Sequence, residues 1–209
     1  ALALLKRIAD AAKPWDARPS RSIKSYQYDA VHASGKRTPV TITKDSPSGP
    51  SWNDISRLRG VAYMPPLRWL FNQPDNMVFY GVQIQPDQAT LVYRLKESRG
   101  FSAGLGVGPS WNGFFSRSFS AGRITIDPQR AVVLEHRISL GPLGEECVET
   151  LADYVSVDGG FAPQKLRIQA GGFDIRMQFN VHNDLLWLLD HASHGEEKTP
   201  SYRIENVRL

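Results

Sequence analysis

Phe173-Asp174-Ile175-Arg176-Met177-Gln178-Phe179-Asn180-Val181 is the stretch on which the fold turns. Apolar and polar side chains alternate through it. In an extended chain Phe173, Ile175, Met177, Phe179 and Val181 share one face, and Asp174, Arg176, Gln178 and Asn180 share the other. That period belongs to a strand of an antiparallel sheet with one greasy face and one wet face. The pattern continues on the N-terminal side. Leu166 and Ile168 alternate with Lys165, Arg167 and Gln169, and Val132, Leu134, Ile138 and Leu140 alternate with Glu135, Arg137 and Ser139. Further extended pieces are expected over 25–31, 40–43, 78–84, 90–95, 123–127, 147–157, 185–191 and 202–209. The turns between them carry Ser34-Gly35-Lys36, Pro86-Asp87-Gln88, Asp127-Pro128-Gln129, Gly141-Pro142, Asp158-Gly159-Gly160 and Gly171-Gly172. Strands this short and this regularly spaced form a meander.

A sheet with one apolar face needs a cover. Three segments offer one. Leu2, Leu5, Ile8, Ala9 and Ala12 recur at three- and four-residue steps, which predicts an amphipathic helix over 1–14 that ends at Pro14. Residues 51–74 hold Trp52, Pro65-Pro66, Trp69 and Phe71 and read as a helical lid. Residues 99–122 are rich in glycine and also hold Phe101, Trp111, Phe114, Phe115 and Phe119, so they read as an irregular flap. The fold class expected is therefore mainly β with a few helices. It is a single curved antiparallel sheet, an incomplete β-barrel of about ten strands, covered by an N-terminal helix and a helical lid. One domain spans 1–209, with no linker and no internal repeat.

Composition removes several classes of function. The chain has 209 residues, a net charge of +4 and 41% hydrophobic residues, which excludes a disordered tail, a collagen and a coiled coil. No apolar run approaches the roughly 18 residues of a membrane-spanning helix, so no transmembrane segment is expected. The mild positive charge lacks a dense basic stripe, so nucleic acid is not expected as a partner. Cys147 is the only cysteine, which excludes an internal disulfide and a multi-cysteine zinc site. Glu145, Glu146 and Glu149 around it are expected to raise its thiol pKa, which makes it a passive strand residue. The first residue is Ala1, as in an exported protein whose leader has been removed.

Three stretches carry a resemblance. They are Gly122-Arg123-Ile124-Thr125-Ile126-Asp127-Pro128-Gln129-Arg130-Ala131-Val132-Val133-Leu134-Glu135, Asp153-Tyr154-Val155-Ser156-Val157-Asp158-Gly159-Gly160-Phe161-Ala162-Pro163-Gln164-Lys165-Leu166-Arg167-Ile168, and Tyr202-Arg203-Ile204-Glu205-Asn206-Val207-Arg208-Leu209. With the leading helix, their order resembles the LolA/LolB-like superfamily of periplasmic lipoprotein carriers, lipoprotein receptors and RseB-type sensors. The resemblance implies a half-barrel closed by a helical lid, with acyl chains held in the apolar hollow. It also implies a periplasmic or otherwise exported location. The insertion at 99–122 departs from the compact carrier pattern.

Candidate chemistry is sparse. No serine stands in a Gly-x-Ser-x-Gly elbow that joins a strand to a helix, and the glycines of 100–108 lack the Gly-Lys-Ser/Thr ending of a phosphate loop. His191-x-x-His194 would point to opposite faces of a strand and reads as part of a solvated loop, so no metal is expected. Glu145 with Glu149, or Asp153 with Glu135, read as solvated sheet-face carboxylates. His136, between Leu134 and Ile138 on the apolar face, reads either as a hydrogen-bonded core histidine or as a polar anchor in a cavity.

The expected function is non-catalytic binding or transport of a lipid, an acyl chain or a lipidated protein. Ligand contacts are assigned to Phe173, Ile175, Met177, Phe179, Leu134, Ile138, Leu166, Ile168, His136, Trp69, Phe71, Trp111 and Phe115, with no cofactor. The alternative is an envelope sensory or scaffolding module, its hollow plugged by its own aromatics and its outer face bound to a protein partner. A third reading is an envelope hydrolase.

Overall fold

The computed structural model describes Ala3 and residues 25–32, 34–43, 61–63, 74–107, 110–140, 145–157, 160–184, 186–194 and 202–209. Twelve strands follow in chain order: β1 (Ser25–His32), β2 (Arg37–Thr43), β3 (Val61–Tyr63), β4 (Met77–Ile84), β5 (Ala89–Val107), β6 (Ser110–Asp127), β7 (Val132–Ser139), β8 (Glu146–Val157), β9 (Gly160–Ala170), β10 (Phe173–His182), β11 (Leu186–His194) and β12 (Tyr202–Arg208). All their pairings are antiparallel, and they form one open sheet in the order β2-β1-β12-β11-β10-β9-β8-β7-β6-β5-β3, with β4 also on β5. From Arg123 to β12 the sheet is the predicted meander, and β4, β5 and the first part of β6 continue it. The pairing of β1 with β12 joins the first and the last of these strands, and there Asn206 donates to the Asp29 carboxylate at 2.8 Å.

Local chemistry sets the turns. Gly171 and Gly172 both lie at positive φ, at 52° and 81°, as a two-residue hairpin loop between β9 and β10 requires. After β6 the Asp127 carboxylate accepts from the backbone N–H groups of Gln129 at 2.9 Å and Arg130 at 3.0 Å, which closes the Asp-Pro turn.

Four expectations need correction. Residues 99–107 and 110–122 are not irregular: β5 and β6 run through them as long antiparallel partners, with Arg99 opposite Phe119, Gly104 opposite Phe114 and Val107 opposite Ser110. Glycine has low strand propensity, but a long partner strand outweighs it by supplying ladder hydrogen bonds along the whole length. Within 51–74, Val61–Tyr63 is a strand rather than part of a helical lid. It pairs with Ala103–Leu105, using the edge of β5 that β4 leaves free. Ala192, Ser193 and His194 belong to β11 rather than to a loop, so the strand runs past its expected end at His191. Leu134 is only half-buried and Val133 takes the inner place at 1% exposure. The cause is a bulge: β6 advances from Thr125 to Ile126 while β7 moves from Glu135 to Val133, leaving Leu134 as the extra residue.

Ala3 is helical, whereas the rest of the predicted 1–14 helix lies outside the described residues, as does all of the predicted lid apart from Val61–Tyr63 and Pro74. Pro74–Asn76 forms a 3-10 turn leading into β4.

Candidate functional site: the buried face and its polar relay

Register stacks the inner residues into rows that cross the sheet. One row runs Ile138, Cys147, Ala170, Phe173. The next runs Leu91, Ile124, His136, Glu149, Ile168, Ile175. A third runs Leu151, Leu166, Met177, Ala192. The predicted contact residues Ile138, Leu166, Ile168, Ile175, Met177 and Phe179 thus share one face, and all are buried. Phe173 holds its predicted register position, and Trp111 and Phe115 lie on β6; the side chains of these three are outside the description. Trp69 and Phe71 lie outside the described residues altogether.

The middle row contains two polar residues. His136 is 0% exposed and Glu149 1%. Tyr93, also 0% exposed, completes a relay: its Oη lies 2.7 Å from His136 Nε2, and His136 Nδ1 lies 2.5 Å from Glu149 Oε2. Burial pushes the His136 imidazole down to about 3 and the Tyr93 phenol up. The imidazole is therefore neutral, and with Glu149 ionised the following proton arrangement satisfies the chain. Tyr93 O–H donates to Nε2, and Nδ1–H donates to the Glu149 carboxylate.

Gly122 makes this relay possible. It sits on β6, between β5 and β7, opposite both Tyr93 and Ile138. A Cβ there would come within 2.6 Å of Tyr93 Oη, 2.8 Å of its Cζ and 2.5 Å of the Arg137 carbonyl oxygen. The bare backbone lets the tyrosine ring pass over β6 to reach the histidine two strands away.

Sequence reasoning placed His136 on the inner face but missed both partners. The available signal was phase. Cys147, Glu149 and Leu151 alternate with exposed or half-buried residues, so Glu149 falls on the same face as Cys147 and is not a surface carboxylate. The Cys147 thiol is pushed up to about 12, and burial is the cause; the exposed Glu145 and Glu146 are not. The Tyr154 hydroxyl donates to the Val133 carbonyl at the β7 bulge.

Hydroxyl, imidazole and carboxylate in series is the connectivity of an acyl-transfer triad. Here all three groups are closed to water, so the relay acts as a satisfied polar core that fixes the register of β5, β7 and β8. Its titration has a definite sign. The unfolded chain protonates its imidazole near 6.5, whereas the folded chain does so only near 3. Between those values the unfolded state binds more protons, so stability is full above pH 6.5 and falls as pH drops, by about 1.4 kcal/mol per unit. Urea melts at a series of pH values are expected to show this slope in the parent and a flatter one in His136→Gln. Parallel curves would remove His136 from the account.

The outer face is polar. Arg167 clasps Asp174 with both nitrogens at 2.9 and 2.8 Å and holds that carboxylate below its usual range. Between β8 and β11 lies a groove of about 410 Å³, lined among others by Thr150, Lys165, Arg176, Gln178 and His191. Lys165 pairs with Asp153 at 2.5 Å. Of the carboxylates read as solvated, Asp153 faces Lys165, Glu135 faces Arg137 at 2.6 Å and Glu145 is exposed, whereas Glu149 is buried. No group of three potential metal ligands gathers among the described residues. Searches of protein-family models, curated proteins and solved structures find no match for this chain.

Proposed function

We propose that this protein binds a lipid, an acyl chain or a lipidated polypeptide, without catalysis, against the inner face of its sheet in the cell envelope. The observation that carries the reading is the face itself. Apolar residues from β5 to β11 line up in register with one polar spot, Tyr93–His136–Glu149. A hydrocarbon in water costs about 0.8 kcal/mol per methylene, so an apolar face wide enough to cross several strands recovers much of that on binding. Among the described residues the relay is a polar spot whose groups are already paired with one another, so the face around it offers hydrocarbon contact. In this reading the sheet curves into an incomplete barrel of the LolA/LolB type, with the 1–14 helix and the 51–74 segment as its cover. The contiguous buried cluster that includes Tyr26 of β1, Leu91 of β5 and Phe179 of β10 supports such curvature.

One observation favours the second reading, a self-filled sensory or scaffolding module. Ile138, Ile168, Ile175 and Phe179 are at most 1% exposed, which is the burial of an ordinary core. The outer groove between β8 and β11 would then be the partner surface. Two measurements separate the readings. Organic extraction of native protein followed by mass spectrometry is expected to release an acyl species in molar proportion. Met177→Trp is expected to exclude that species with little change in melting temperature, because the new ring occupies space the guest had filled. In a self-filled core the same substitution costs about 1–3 kcal/mol by overpacking. Lipid-free native protein together with that loss would establish the module.

A further inference from the structure

We propose that the edge strand β4 is a docking element for the surface of an anionic lipid bilayer. Val78, Tyr80, Val82 and Ile84 are 47%, 58%, 49% and 79% exposed. They do not lie on one side of the sheet. Before the bulge, Val78 pairs with Arg94 on the outer face, and Phe79 pairs with the buried Tyr93. The register then shifts, because Phe79 to Gly81 on β4 spans only Tyr93 to Val92 on β5, which makes Tyr80 the extra residue. After the shift, Val82 pairs with Leu91 and Ile84 with Ala89, both buried on the inner face. The bulge thus exposes apolar groups on both faces of one strand.

Edge strands are ordinarily blunted by charge or by proline. Here the strand Met77–Ile84 contains neither, and among the described residues it pairs only with β5. A lid or a second sheet covers one face. A strand apolar on both faces is satisfied by a medium that surrounds it, and the interfacial zone of a bilayer is such a medium. Water and headgroups there still pair the amide groups of the free edge, which the hydrocarbon interior would not.

Charge selects the kind of surface. Arg94 and Lys96 stand on β5 next to this edge, and Arg123 stands one strand further in on β6. Arg94 lies over the Tyr80 ring at 5.5 Å, and Arg123 is opposite Val92. The nearby Glu97 and Glu135 carboxylates are held by Arg99 at 3.3 Å and Arg137 at 2.6 Å, and Asp87 sits in the turn beyond Ile84. A second copy of the chain would bring like charges together at the edge, whereas anionic headgroups meet them with opposite charge. Each basic residue near such a surface strengthens binding about fivefold.

The test is co-sedimentation of the full chain with vesicles of phosphatidylcholine alone or containing about 30% phosphatidylglycerol, at about 0.1 M salt. The parent is expected to pellet with the anionic vesicles and to stay in solution with the neutral ones. The double variant Val82→Asp/Ile84→Asp is expected to lose about tenfold or more in affinity with an unchanged circular dichroism spectrum. Lys96→Glu/Arg123→Glu is expected to lose at least as much on anionic vesicles. Met177→Trp keeps full vesicle binding, so failure of the cargo reading and failure of this one are told apart. Equal pelleting of parent and the aspartate variant overturns the proposal, as does no pelleting by the parent. A dimer in analytical ultracentrifugation that the aspartate variant dissolves would assign the edge to a second copy and also overturn it.

Discussion

Glu149→Ala is expected to lower the stability of the protein by about 3–5 kcal/mol, made up of about 1–3 for the unsatisfied buried imidazole and about 2 for the void left by the side chain. The carboxylate accepts from His136 Nδ1 at 2.5 Å, in surroundings where Glu149 is 1% and His136 0% exposed. Its deletion leaves a buried N–H with no acceptor and a small void beside Ile168. For a chain of this length that loss lowers the melting temperature by roughly 6–20 °C. Glu149→Gln is the informative companion. Its amide oxygen still accepts from Nδ1–H, so the loss is expected to fall to about 1–2 kcal/mol. Urea denaturation of the three proteins at pH 7 reads the difference. If alanine and glutamine cost the same, the hydrogen bond has no part in the stability and only packing matters.

The second large effect is expected at Gly122. Gly122→Ala places a methyl group within 2.6 Å of Tyr93 Oη and 2.5 Å of the Arg137 carbonyl oxygen, and neither can be kept. Overpacking of this kind costs about 1–3 kcal/mol. Driving Tyr93 off His136 adds about 1–2 kcal/mol for the stranded imidazole nitrogen. The total is expected at about 2–5 kcal/mol, large for a change of one methyl. A double-mutant cycle identifies the cause. Tyr93→Ala removes the ring that the new methyl strikes, so Gly122→Ala in that background is expected to cost at least about 1 kcal/mol less than in the parent. The contact with the Arg137 carbonyl persists in both backgrounds and cancels from the comparison. Additive losses would show that Gly122 answers only to the backbone of β7.

Both effects arise in a relay whose members stand at positions 93, 136 and 149, on three different strands. His136 was legible because a histidine between Leu134 and Ile138 violates the alternation around it. Glu149 was legible in principle by the same phase argument, applied from Cys147 to Leu151. Tyr93 was not legible, because an aromatic flanked by Leu91 and Leu95 looks like any core residue. Its role depends on Gly122 lying opposite it, and that is a matter of register. The bulge at Leu134 was hidden for the same reason: an extra residue in a strand leaves the composition unchanged and shifts only which neighbours face inward.

What the chain determines by itself is the strand character of its C-terminal half, the turns that separate those strands, and the face that each alternating residue takes. These are local properties, set by a two-residue period and by glycine, asparagine and aspartate at turns. The tertiary structure decided the rest. It paired 99–107 with 110–122, placed β3 and β4 end to end on β5, joined β1 to β12, and turned Val82 and Ile84 to the opposite face from Val78. Each of these depends on which partner strand is present and at what register. Hydrogen bonds between strands distant in sequence are available only once the sheet has assembled, and no local propensity encodes them.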